Sequence, residues 1–163
     1  MIALWRLSNS EDLLPRARPA GRWHDAGAPV LVLDASPAAA VFARLAQSEA
    51  EHPSALPRHY VLLEVSVPEA AVDEVRAPTH WRTDTAATRA AGNAWLARGD
   101  ALLLRVPSAA GGVQYLLNAA HPQLAHCRIV SALAYPFGSH LAGVGRAVEH
   151  GAGWLVASRA SER

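Results

Sequence analysis

The chain has 163 residues, 51% of them hydrophobic and 18% charged, with a net charge of +1. These values fit one soluble globular domain and exclude a disordered chain. No apolar run nears the roughly 20 residues of a membrane span, and no basic stretch followed by an apolar one opens the chain, so a cytoplasmic protein without a secretory signal or membrane partner is expected.

Residues 2–7 (IALWRL) read as a first strand. Residues 8–28 carry Ser, Asn, Pro and Gly and read as a long loop. Pro29 to Leu33 is a continuous apolar run suited to a buried strand. Asp34-Ala35-Ser36-Pro37 then offers a helix cap followed by proline at the first helical position. The helix beginning there presents Ala40, Val41, Phe42 and Leu45 as a buried stripe and ends by Pro53. Tyr60 to Val67 is the clearest strand, and residues 69–80 read as an acidic, proline-bearing loop. Thr85 to Arg98 reads as a second helix despite Gly92, with Gly99 as its stop. Ala101 to Val106 and Val113 to Leu117 are strands about a turn at Gly111-Gly112, and a further strand is expected near Cys127 to Val130. The order implies a single α+β domain with a mixed or antiparallel sheet and flanking helices. After Phe137 the chain is rich in Gly, Ala and Ser, and residues 138–163 read as a divergent tail with a short helix around Val144 to Trp154 or none.

All fifteen basic residues are arginine. A phosphate-loop lysine and a Schiff-base lysine are therefore excluded, and arginine is the permanent cation left to grip phosphate with its planar fork. Fourteen acids offset the scattered arginines, leaving no footprint for direct nucleic-acid binding. Cys127 is the sole cysteine. It precludes an intramolecular disulfide, and its apolar neighbours predict a buried, inert thiol. His59, His80, His121 and His126 lack metal-ligand spacing and read as surface or capping residues, so no metal is expected.

Arg6 lies inside an apolar strand and must find a partner, because an unpaired buried charge is costly. That partner is either a structural acid or a ligand's phosphate or carboxylate. Arg22, Trp23 and His24 sit together on the long loop, where they offer a charged fork and a stacking face or form an ordinary turn. Ser108 ends a strand, as turn-starting serines commonly do.

The segments WR at 5–6, GRWH at 21–24, PVLVLDASPAAA at 29–40, HWR at 80–82, GNAWL at 92–96, LRVPSA at 104–109 and LLNAAHP at 116–122 occur in this order. In combination they resemble the RES domain of bacterial toxin–antitoxin toxins over about residues 3–137. The resemblance implies a fold akin to ADP-ribosyltransferase toxins and a cleft for NAD⁺, which is the substrate rather than a cofactor. It implies cleavage of the nicotinamide–ribose bond by hydrolysis, phosphorolysis or transfer of ADP-ribose to a protein. It also implies a cognate antitoxin bearing a helix-turn-helix DNA-binding part, and a homo-oligomer or a hetero-oligomer with that antitoxin. The family arginine falls on Arg22, the family serine on Ser108, and a further first-strand arginine on Arg6; Trp23 and His24 would adjoin the bound NAD⁺.

Two positions depart from the pattern. The family glutamate, seven residues past the serine matching Ser36, falls on Ala43, and a family tyrosine falls on Val32. Glu49, Glu51 and Glu64 do not restore the glutamate by a shift of register. Three readings follow: a detoxifying substitution, natural divergence with altered chemistry, or a non-catalytic module that binds an antitoxin and a nucleotide.

Overall fold

In a computed structural model of the chain, which describes residues 1–48, 59–69 and 72–134, the apolar runs become strands of one seven-stranded mixed sheet. The strands are β1 (Ile2–Ser8), β2 (Val30–Asp34), β3 (Val61–Val67), β4 (Val72–Glu74), β5 (Leu103–Pro107), β6 (Val113–Asn118) and β7 (Arg128–Ala134). Helix α1 (Pro37–Ser48) follows β2, and α2 (Thr85–Arg98) lies between β4 and β5. The spatial order is β4-β5-β6-β2-β1-β3-β7. Only β4 and β5 are parallel among the described pairs.

Period-two alternation divides the strands between the faces. Val61, Leu63, Val65 and Val67 join Leu4, Leu31 and Leu33 in the main core. Leu62 and Leu7 point the other way, under Ala40, Val41 and Leu45 of α1, with Phe42 at the margin. A third cluster joins Trp95 of α2 to Trp23, Val30, Leu104, Val106 and Leu116. Each such fully buried leucine contributes roughly 2 kcal/mol through the water it leaves.

Both helices start on caps that their sequences suggest, while the proline expected to end α1, Pro53, lies outside the described residues. Ser36 caps α1, accepting at Oγ from Ala39 N at 3.1 Å. Asp84 caps α2 through Ala87 N at 2.9 Å, and Gly99 closes it in the left-handed region at φ 64°. The segment 69–80 is not wholly loop, since β4 adds a short parallel edge. Its Val72 packs at the margin of the main core, while Asp73 pairs with Arg98 at 2.6 Å and Glu74 pairs with Arg105. Cys127 is half-buried rather than buried, packing at the margin of the main core, and burial pushes its thiol upward.

The sheet opens where β1 meets β2. β1 registers with β3 along its length, from Ile2↔Val67 to Ser8↔Val61, but with β2 only at Trp5↔Asp34. Beyond that pair a side chain replaces the ladder, as Arg6 Nη1 donates to the Val32 carbonyl at 3.0 Å. No described helix is long and apolar enough to cross a membrane. Phe137, the segment 138–163, Glu49 and Glu51 lie outside the described residues.

Candidate active site

A cleft of about 550 Å³ lies over this opening, within the roughly 300–1,000 Å³ usual for small-molecule sites. Arg6, Arg22, His24, Val32, Ala43 and Ser108 all line it. Residues from β1, the 8–29 loop, β2, α1 and the β5–β6 turn thus meet in one place.

Arg6 has no acidic partner among the described ion pairs. Its Nε is buried without a hydrogen bond, while Nη1 holds the Val32 carbonyl. Burial, then the neighbouring charges of Arg18 and Arg44, bring its pKa from 12.5 down to about 10. It stays a cation at neutral pH, in surroundings that disfavour one. Asp34 and Asp12 offset that shift only in part; no described acid lies within ion-pair distance of Arg6, and its buried Nε is left as a donor for an incoming anion.

Arg22 is fixed by carbonyl groups. Its Nη1 donates to Trp81 O at 3.1 Å and Arg82 O at 2.9 Å, which gives the HWR segment a definite task. Helix α2 grips the same loop from below. Thr88 Oγ1 donates to Arg22 O at 2.7 Å, Arg89 Nε donates to Gly21 O at 2.9 Å, and Asn93 pairs with Asp25. Gly92 sits beneath Trp23, where a Cβ would lie 1.7 Å from the Trp23 carbonyl oxygen. Glycine in mid-helix is therefore required by close approach rather than by turn geometry.

Trp23 does not offer a stacking face to the cleft. It is 2% exposed, packs in the third core cluster and stacks on Trp81 at 6.1 Å. Consecutive loop residues point to opposite sides, so Arg22 reaches the cleft while Trp23 anchors the loop. His24 lies at the cleft wall, 5% exposed, with Nδ1 3.1 Å from the Asp25 carbonyl. Its ring leaves no room for a Cβ at Gly21, which would come within 2.5 Å of Nε2.

Ser108 is buried at the end of β5, and its Oγ accepts from Ala110 N at 3.2 Å. The turn reading of this serine holds, and the same turn brings it to the cleft. Ala43 lies on the α1 wall of the cleft and Val32 on its β2 wall, both without polar side-chain atoms to offer a ligand.

Four contributors were not singled out from the sequence as site residues. Arg18 lines the cleft with buried Nε and Nη2 atoms that have no hydrogen-bond partner. Arg44 lines it too, donating to Leu7 O at 3.2 Å and lying over the Tyr60 ring at 5.2 Å. Asp34 and Gln114 occupy an adjoining recess, linked by a 3.0 Å hydrogen bond. An arginine before proline in PRARP and an aspartate ending a strand are the available signals, but both also occur in ordinary loops and caps. Among the described residues no cluster of His, Cys, Asp or Glu could hold a metal ion.

The lining of the main cleft thus contains four arginines and no acid. Such a site suits a ligand with several negative oxygens, because guanidinium forks meet phosphate oxygens pairwise.

Comparison with known proteins shows the family of the chain. The family model for the RES domain matches residues 3–138. The protein called Toxin Res from Pseudomonas putida KT2440 is 36% identical over 135 residues, covering 78% of this chain and 92% of its own length. In fold, the chain is similar to one in the crystal structure of the M. tuberculosis MbcT–MbcA toxin–antitoxin complex, with a TM-score of 0.61 and 19% identity over 82% of this chain and 83% of that one. The chain belongs to the family of RES-domain toxins.

Proposed function

We propose that this protein is the toxin of a toxin–antitoxin pair and that its substrate is NAD⁺, cleaved between nicotinamide and ribose. The observation that carries the reading is the acid-free arginine lining of the cleft, with buried unpartnered donors on Arg6 and Arg18. These two, with Arg22, grip the pyrophosphate. Ser108 meets the nicotinamide ribose, and His24 lies against the bound nucleotide. ADP-ribose then passes to water, phosphate or a protein side chain. The partner is an antitoxin with a helix-turn-helix part, a pairing supported by the toxin–antitoxin complex that shares the fold.

The test is NAD⁺ loss and nicotinamide release by the purified chain and by its Ala43→Glu variant, with and without phosphate. Turnover is expected, and its dependence on phosphate names the acceptor. Ala43 favours a second reading, a binding module without turnover, since alanine cannot offset charge on the ribose. Silence of both proteins, with NAD⁺ still bound, would select that module.

A further inference from the structure

The recess beside the cleft holds a carboxyl group that the family pattern does not assign. Asp34 ends β2 and is 5% exposed. By strand alternation it shares a face with Val30 and Val32, both of which line the cleft. The recess is lined by Leu7, Asp34 and Ala40, and by Arg6, Val32, Ala43, Arg44 and Gln114, the last five of which also line the main cleft. Ala43 borders both spaces. Asp34 is the only acid among the described residues lining either space.

We propose that Asp34 is the catalytic carboxylate of this chain, acting from the end of β2 in place of the glutamate that position 43 lacks. This inference rests on the NAD⁺ reading above. When the bond between ribose C1′ and the nicotinamide nitrogen breaks, its electron pair leaves with nicotinamide, whose ring becomes neutral. Positive charge then builds on the ribose, and a carboxylate facing it from the recess lowers the barrier. The acceptor's oxygen or nitrogen adds at C1′ and releases its proton to solvent. Asp34 ends the cycle unchanged.

The surroundings suit an acid that must be ionised at neutral pH yet poorly solvated. Arg6 faces it from β1, Arg44 from α1 and Gln114 from β6. Burial pushes the carboxyl from 3.8 up to about 6, against the hydrogen bond from Gln114 and the charges of Arg6 and Arg44. A poorly solvated carboxylate interacts more strongly with a neighbouring cation than one in bulk water does.

The full chain would be assayed for nicotinamide release between pH 5 and 8 as wild type, Asp34→Asn, Ala43→Glu and the double variant. NAD⁺ binding and thermal melting would be followed for each. Wild type is expected to turn over, with a rate rising with pH through about 6. Asp34→Asn should still bind NAD⁺ but lose about 100-fold or more in kcat, keep only a pH-independent residue, and recover activity on addition of Ala43→Glu. A folded Asp34→Asn variant with the wild-type rate would overturn the proposal and leave the NAD⁺ reading intact. A silent wild type beside an active Ala43→Glu would do the same. Failure of all four proteins to bind or consume NAD⁺ would sink both. If Asp34→Asn does not fold, the wild-type profile decides: an inflection near 6 supports Asp34, and a flat rate overturns it.

Discussion

Arg18 and Arg6 are placed where each makes the other more costly, since the charge of Arg18 helps to depress the pKa of Arg6. Folding alone gives no reason to set two cations with unpartnered buried nitrogens beside one cleft. An anion between them supplies both the missing hydrogen bonds and the missing charge, each charge-assisted bond contributing roughly 1.5–3 kcal/mol. Arg18→Ala should therefore weaken ADP-ribose binding about 10–100-fold, with an unchanged or slightly raised melting temperature. Titration calorimetry beside a thermal melt checks both halves, and a purely structural arginine would give the opposite pattern. Asp34 makes the same point through pH. The folded chain holds its proton more tightly than the unfolded one, with a pKa of about 6 against 3.8. The stability it contributes is full below about pH 4 and is lost as pH rises through about 6. Asp34→Asn should then be more stable than wild type by roughly 1–3 kcal/mol above pH 7, and the difference should vanish near pH 4. Chemical denaturation at the two pH values measures this. A carboxyl kept despite such a cost is a functional candidate.

At the scale of elements, α2 acts as the clamp for the loop that carries Arg22 and His24. Thr88, Arg89, Gly92 and Asn93 meet the loop along one side of the helix, as spacings of one and four residues allow. Gly92→Ala places a methyl group against the Trp23 carbonyl. It should cost about 1–3 kcal/mol or more through overpacking and displace Arg22, so that thermal stability and NAD⁺ affinity fall together. A substitution that only lowered stability would place the loop's geometry under some other control. The second helix was legible because Asp84 and Gly99 mark its ends, but the need for Gly92 was not, since it comes from a loop far away in sequence. The long strands were legible from apolar runs. β4 was not, because its three residues Val72–Glu74 gain their place from β5 and from charge pairs. Arg22, Arg6 and Ser108 were found through ordered motifs. Arg18 and Asp34 escaped because their meaning depends on the parting of β1 from β2, a property of tertiary structure that no local pattern carries. Trp23 misled for a related reason: an aromatic beside an arginine reads as a ligand face until the α2 contact turns it inward.

Across the whole molecule, charge is nearly balanced at +1, yet the cleft lining is arginine without acid. One acid, Asp34, lies in the adjoining recess, while others sit farther off: Asp73 and Glu74 engage arginines at the β4 edge, and Asp12 engages Arg16 on the loop. This segregation gives the cleft a local positive potential that composition conceals. It also means that the cleft arginines repel one another, and that a polyphosphate ligand should act as a folding partner. At a ligand concentration about 100-fold above its dissociation constant, binding adds about 2.7 kcal/mol. For a domain of this size that raises the melting temperature by roughly 5–10 °C. ADP-ribose should produce this shift, and adenosine should produce little, because it lacks the phosphates that the arginines meet. Raising salt should shrink the ADP-ribose shift as exposed charges are screened, though not abolish it, since the nitrogens of Arg6 and Arg18 are buried. Equal shifts from adenosine and ADP-ribose would mean that the adenine, not the phosphates, carries recognition, and the role given to the arginine cluster would fall.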